Sequence, residues 1–349
     1  MTGAAPDTAM VLAAGRGLRM RPLTAGRAKP TLPVLGRPLV ARVLDHLAAC
    51  GVRRFAVNAY HAPETIEQAV RAAGVGGDVR VFREADLMGA GGALAAPRAF
   101  LAEASRFALA NSDTLCPAPL AAMSARLDAA GADGVLLVRR PPHPGYRPLL
   151  VAGDRVLGPA ADEADRRGEP ATYLGVAVLS SSILSRVPDD RPSGLFEVLG
   201  PSIDAGRLLA FDWDGPWLEM TSPDSYRRRL VGRVLAARGA GRVALPGGDA
   251  PVRRTPWGAA FVAPGAEVHP DAQLHGGVVV ERRARVGPGA VVADSVVLED
   301  GIVEPLAWVE RVVVDRAARV AARAARRDVV IARGEDSSRI PVGDGRPAR

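Results

Sequence analysis

Between Val262 and Leu298 an apolar residue returns at every sixth position: Val262, Val268, Leu274, Val280, Val286, Val292 and Leu298. Ala266, Ala272, Ala284 and Ala290 stand four places after their respective leads, and Pro264-Gly, Pro270-Asp and Pro288-Gly supply turns. Few folds accept this period. A helix repeats near 3.6 and a strand at 2, whereas a six-residue step forms one side of a triangular coil in which each turn buries its apolar side chains on the next. The spacing predicts a short left-handed parallel β-helix over residues 257–332. Its register breaks at Glu304 and Glu310 and resumes at Val314 and Val320, giving an expectation of about two and a half coils and an irregular end.

The chain ahead of this region has a different pattern. Val40, Val43, Leu44 and Leu47 recur at helical spacing and end at Gly51, a suitable residue for the position after a helix. Strands are predicted at 10–14, 55–58, 107–110 and 134–138, and helices at 92–104 and 120–130. This alternation predicts an α/β fold, a doubly wound, mostly parallel sheet of Rossmann-like type, in which ligands bind beyond the carboxyl ends of strands. The expected organisation is a domain over 9–232, a Gly-, Ala- and Arg-rich linker over 233–256, the β-helix, and a disordered tail over 333–349.

Of the 45 basic residues all but Lys29 are arginine. Wherever a cation serves only solubility, this chain uses Arg, so the single lysine is a candidate for a specific task. Arg is a planar fork, whereas Lys is a compact point charge that reaches one phosphate oxygen from inside a crowded loop. Upstream, the strand Met10–Ala14 runs directly into Gly15-Arg-Gly-Leu-Arg19, where the absence of a Cβ lets backbone N–H groups approach an anion.

Composition removes several function classes. The net charge of +7 and pI near 10.3 raise nucleic-acid binding, yet the arginines are dispersed and no aromatic RNA-binding strand or helix-turn-helix pattern accompanies them. Cys50 and Cys116 make neither a disulfide framework nor a metal pair, as expected of a reducing compartment. The first residues lack a signal-peptide pattern, and no apolar run is long enough to cross a bilayer. The expectation is a cytoplasmic protein that binds neither nucleic acid nor membrane.

The run Gly15, Gly17, Arg19, Pro22-Leu-Thr24, Lys29-Pro30, Pro33-Val34 resembles the N-terminal signature of the sugar-1-phosphate nucleotidyltransferases, in order and spacing. The resemblance continues through Val57–Ile66, Gly89-Ala-Gly-Gly-Ala-Leu94, Asn111-Ser-Asp-Thr114, Tyr173–Leu179 and Trp217–Tyr226, so it spans roughly residues 10 to 230. Within the family, the mannose-1-phosphate guanylyltransferases and related uridylyltransferases are most similar. The resemblance implies transfer of a nucleoside monophosphate from a triphosphate to a sugar 1-phosphate, with GTP and mannose 1-phosphate the favoured pair.

It also implies site residues. Arg19 and Lys29 are catalytic, stabilising the departing pyrophosphate and the α- and sugar phosphates. Ala14, Gly15, Gly17, Gly89, Gly91 and Asn111 surround the nucleotide, Gly175 lies beside the sugar, and Asp113 and Glu219 hold Mg²⁺. Against the family pattern stand Leu18 for Thr, Ala28 for Pro, Ala90 for Thr, Glu219 for Asp and Thr221 for Gly. The sugar-side Glu-Lys-Pro is replaced by a stretch offering Glu163, Arg166, Arg167 and Glu169. These departures give a second expectation, a regulatory or nucleotide-sugar-sensing homologue with weakened metal chemistry. His269 and His275 are expected to face solvent, Cys116 to act as a small buried hydrophobe, and the β-helix to mediate self-association through its uncovered faces.

Overall fold

The computed structural model describes residues 4–162 and 165–334 and the backbone of 338–339. Glu163 and most of the expected tail, 335–337 and 340–349, lie outside the described residues. The chain divides into two compact units, one built from residues 4–16 and 43–218, the other from 17–42 and 219–334.

The first unit holds a nine-stranded sheet. Its strands are β1 (Thr8–Leu12), β2 (Arg54–Ala59), β3 (Asp78–Arg83), β4 (Arg106–Asn111), β5 (Gly134–Arg139), β6 (Leu149–Ala152), β7 (Arg155–Pro159), β8 (Glu169–Ser180) and β9 (Leu208–Asp212). They lie in the order β3-β2-β1-β4-β8-β5-β9-β7-β6. The four strands from β3 to β4 are parallel, as the alternation predicts, and β9 is parallel to β5. Strand β8 runs antiparallel to both β4 and β5, and β6 and β7 are antiparallel additions. The sheet is therefore mixed, with its parallel half carrying the glycine loop. Met10, Leu109, Leu136 and Ala177 lie in one continuous buried cluster, which explains why these strands read as apolar runs rather than alternating ones.

Helix α1 (Leu39–Ala49) buries Val40, Val43, Leu44 and Leu47, and Gly51 follows at φ 106°. Helices α2 (Pro63–Ala73) and α3 (Leu120–Ala130) both close on a glycine in the left-handed region, Gly74 and Gly131. The expected helix 92–104 is two shorter ones, Gly89–Gly92 and Arg98–Ala102. Pro97 separates them, because its ring removes an N–H and disfavours helical geometry in the residue before it.

The second unit is built on the coil. Trp257–Val262 pairs in parallel with His275–Val280, eighteen residues on. Val268 with Val286 and Leu274 with Val292 keep that step, and from Val279 onward the partners are seventeen apart: Val280 with Val297, Val297 with Val314, Val314 with Ile331. The inner columns are Val262-Val280-Val297-Val314-Ile331, Val268-Val286-Val303-Val320 and Leu274-Val292-Val309. The expected break at Glu304 is thus a misreading of the period. One side of each later coil is five residues long instead of six, so Leu298 falls one place past the column that Val297 occupies. Stacked strands continue through the stretch expected to be irregular, and the coil is longer than expected.

Each side of the coil turns at a residue in left-handed backbone. Gly276, Asp294, Arg311 and Asp328 all have φ between 44° and 60°, and the columns Arg283-Asp300-Ala317 and Gly289-Leu306-Arg323 are also left-handed. Helix α4 (Pro223–Ala236), opened by a Ser222–Ser225 capping box, packs on the first coil. A Cβ at Gly277 would lie 2.5 Å from the carbonyl of Val231, so the extra residue of the first coil is a glycine that lets the helix approach. Of the stretch expected as linker, residues 233–236 are helical and Arg242–Val243 pairs with Ala250–Pro251.

Candidate active site

In the first unit a chain of hydrogen bonds ties together the carboxyl ends of β1, β2 and β4. Ser112 donates to the Leu12 carbonyl through its amide at 3.0 Å and its hydroxyl at 2.6 Å. The Ala13 amide donates to Asn58 Oδ1 at 2.6 Å, and Asn58 Nδ2 donates to Glu84 Oε1 at 2.7 Å. Glu84 in turn accepts from the Met88 amide at 3.1 Å, just ahead of the Gly89 turn. Ala14 is buried beyond this chain, and Gly15 and Arg16 are exposed. Among the described residues nothing lies within 4 Å of a Cβ built on Gly15, so their packing does not demand a glycine there and leaves the space open to a ligand. Asn58 and Glu84 were not singled out from sequence. The usable signal was an amide side chain at the end of an otherwise apolar strand, which must find partners when buried.

Gly89 and Gly91 have a structural reason of their own. A Cβ at Gly89 would come within 2.6 Å of the Ser193 carbonyl, and one at Gly91 within 2.4 Å of the Gly194 carbonyl. The Gly91 and Gly92 amides donate to Ser193 at 3.0 and 3.2 Å. Their amides are thus engaged by the protein, and this turn offers a ligand its shape.

Asn111 ends β4 and meets Gly175. The pairing of β8 with β5 shifts between Tyr173 and Ala177, and Gly175 sits in that bulge at φ 77°. A Cβ there would stand 2.6 Å from Asn111 Nδ2. Asp113 is half-buried at the end of the same strand and accepts from the Thr114 hydroxyl at 3.3 Å. Burial pushes the Tyr173 phenol up, and its hydroxyl has no hydrogen-bond partner among the described residues. Of the residues that replace the Glu-Lys-Pro stretch, Arg167 pairs with Asp165 at 2.8 Å and Glu169 with Arg140 at 2.9 Å. Cys116 is buried, which pushes its thiol up to about 12, as fits an inert filler.

The remaining predicted residues belong to the second unit. Gly17 has φ 61°, and a Cβ would lie 3.1 Å from Lys29 Cβ and 3.2 Å from Thr24 Cγ2. The Thr24 hydroxyl donates to the Gly17 carbonyl at 2.9 Å. This packing closes the loop on itself and brings Gly17 against Lys29. Leu18–Met20 forms a single 3₁₀ turn that leaves Leu18 and Arg19 exposed. Arg19 has no hydrogen-bond or ion-pair partner among the described residues, so its fork is open to an anion. Lys29 opens a second 3₁₀ turn, Lys29–Thr31, and only 8% of it is exposed.

Glu219 is buried, and its charge acts on the guanidinium of Arg229, whose pKa burial pushes down. Thr221 takes part in the start of α4, its amide donating to Ser225 Oγ at 3.0 Å. Among the described residues no group of three or more His, Cys, Asp or Glu side chains could hold a metal. A carboxylate at Asp113 or Glu219 is still the hard oxygen donor that a divalent cation takes when phosphates and water complete its shell. His269 is exposed, while His275 stacks on Trp257 with ring centroids 4.7 Å apart. Among the described residues no helix is long and apolar enough to cross a membrane.

The nucleotidyl transferase family matches residues 8–146. A mannose-1-phosphate guanylyltransferase of Mycobacterium tuberculosis is 28% identical over 84% of this chain and 82% of its own length. A mannose-1-phosphate guanyltransferase of Schizosaccharomyces pombe is 28% identical over 65% of this chain and 63% of its own. The catalytic subunit beta of a mannose-1-phosphate guanylyltransferase from Drosophila pseudoobscura is 24% identical over 65% of this chain and 62% of its own. The chain thus spans less than two thirds of the length of two of these three relatives. Taken with the signature from Gly15 to Val34, these similarities support a relation of residues 8–146 to the sugar-1-phosphate nucleotidyltransferases.

Proposed function

We propose that this protein joins a nucleoside monophosphate to a sugar 1-phosphate, releasing pyrophosphate, with GTP and mannose 1-phosphate as the substrate pair. The observation that carries the reading is the only lysine, buried in a turn packed on Gly17, with Arg19, unpaired among the described residues, on the preceding turn of the same loop. The choice of base and sugar follows the names of the relatives.

The sugar-phosphate oxygen attacks the α-phosphorus in line, a bond forms between them, and the bond from that phosphorus to the bridging oxygen of the leaving pyrophosphate breaks. Nothing covalent is asked of the protein, so its contribution is positioning and charge neutralisation. Lys29 serves the α- and sugar phosphates and Arg19 the departing pyrophosphate. Ala14, Gly15 and Gly17 line the nucleotide, Gly89 and Gly91 give its pocket shape, Asn111 and Gly175 flank the substrates, and Asp113 and Glu219 are each a carboxylate that would serve Mg²⁺. Mg²⁺ held there would neutralise phosphate charge. The coil's uncovered faces serve self-association, which the mass in solution tests.

The experiment is pyrophosphate release with Mg²⁺ from each of GTP, UTP, dTTP, ATP and CTP against a panel of sugar 1-phosphates. Release with one pair supports the reading and names both substrates. Silence across the panel, from folded protein that still binds a nucleotide or nucleotide-sugar, favours the regulatory reading that Glu219, Leu18 and Thr221 suggest.

A further inference from the structure

The loop that carries Lys29 is held by charged groups of the coil. Arg27, two residues before Lys29, is 4% exposed, and its Nε donates to the Leu23 carbonyl at 3.3 Å. Its guanidinium also donates to both oxygens of Glu299, at 3.3 and 3.1 Å, and to Asp315 Oδ1 at 3.5 Å. On the other side of Lys29, the Gly36 amide donates to both carboxylate oxygens of Glu281, at 3.2 and 3.0 Å. Arg42 is also buried and donates to the carbonyls of Val34, Leu35 and Gly248 at 2.7, 2.9 and 2.7 Å. The Tyr226 hydroxyl of α4 donates to the Pro33 carbonyl.

Burying this many charges is a poor way to gain stability, because desolvation consumes most of the attraction. What such a network provides is one geometry, since the groups are satisfied only when the backbone is in place. Glu281 and Asp315 stand one residue after Val280 and Val314 of one column, and Glu299 stands two after Val297 of the same column, so the stacking of the coil sets their spacing. The six-residue pattern needs none of these carboxylates for its core, which is built of valine, leucine and alanine.

We propose that Arg27, Glu299 and Asp315 are positioning residues for Lys29: the coil's carboxylates hold the turn Lys29–Thr31 in the place from which its ammonium meets substrate phosphate. The second half of that statement rests on the function proposed above; the first does not. The coil is then a working part of the site and not only an assembly module. Misplacement of a phosphate-contacting group by an ångström lowers turnover on the order of 100-fold, while binding of the nucleotide through the rest of the loop persists.

Because Lys29 is the only lysine, an amine-directed acylating reagent reports on its surroundings alone, once peptide mass spectrometry has set aside the chain's terminal amine. The variants are Arg27→Met, the isosteric pair Glu299→Gln with Asp315→Asn, and the conservative Glu299→Asp. Folding is checked by thermal unfolding, and the isosteric pair carries the test if Arg27→Met does not fold. The expected result is Lys29 acylation faster by about tenfold in Arg27→Met and in the double variant, with kcat down on the order of 100-fold and nucleotide KM little changed. Glu299→Asp recovers much of both. Folded variants with wild-type acylation rates and wild-type kcat overturn the proposal. A wild-type protein that transfers nothing sinks the proposed function, while the acylation rates still decide whether the coil holds Lys29.

Discussion

Asn58 and Glu84 meet through a 2.7 Å hydrogen bond, and this one contact joins the end of β1 to the turn that begins at Met88. Asn58 is 3% exposed and uses its oxygen on Ala13 and its nitrogen on Glu84. Replacing it by Ala leaves the Ala13 amide without its acceptor in a buried place. The expected cost is about 1–3 kcal/mol, read as a lower midpoint in urea unfolding, with weaker nucleotide binding by calorimetry. Asn58→Asp sets a second carboxylate beside Glu84 and costs more than Ala.

Gly175→Ala tests the bulge. The residue is held at φ 77°, and its new methyl would press on Asn111 Nδ2. Backbone strain of this kind costs about 1–3 kcal/mol. The expected outcome is a protein that folds with a lower unfolding midpoint and loses kcat/KM for the sugar phosphate more than for the nucleotide.

Gly17→Ala strikes the loop in which Lys29 sits. Left-handed backbone costs an L-residue about 1–2 kcal/mol, and the methyl meets Lys29 Cβ and Thr24 Cγ2. Turnover should fall further than the stability loss accounts for, because relief of the clash displaces Lys29. Steady-state kinetics beside thermal unfolding measure the two effects separately.

Burial raises the Glu281 carboxyl from 4.5 to about 8; the Gly36 amide, Arg42 and Arg27 pull it down and Glu299 pushes it up. Tyr226 also faces this charge and is pushed well up by burial. A folded-state pKa above the unfolded value means that the native protein holds a proton the unfolded chain has released. The contribution of Glu281 is therefore full below about 4.5, declines as pH rises, and is gone above about 8, with a slope of up to about 1.4 kcal/mol per pH unit. In Glu281→Gln that decline should vanish. Unfolding free energies of both proteins between pH 5 and 8.5, run in roughly half-unit steps, check it; parallel curves contradict it.

The coil and the signature loop were legible in sequence for different reasons. Valines at fixed spacing announce stacked strands, and the reading failed only where the corner at Asp294 removed one residue and moved the column from Leu298 to Val297. The apolar run over 92–104 has the pattern of one helix, yet Pro97 divides it into two. Lys29 stood out because every other basic residue is Arg. The contacts of Arg27 with Glu299 and Asp315 were not legible, since they join residues more than 250 apart and neither partner carries a local pattern. For the same reason the Ser193 carbonyl behind Gly89 and Gly91 left no trace in the glycine motif itself.

The central claim is that Lys29 acts on phosphate in nucleotidyl transfer. The most direct measurement follows label from the α-phosphate of GTP into a sugar nucleotide with mannose 1-phosphate and Mg²⁺, in the wild type and in Lys29→Ala. The account predicts label transfer by the wild type and a kcat lowered on the order of 100- to 1,000-fold in the variant, with GTP still bound. Equal turnover in the two proteins would contradict it.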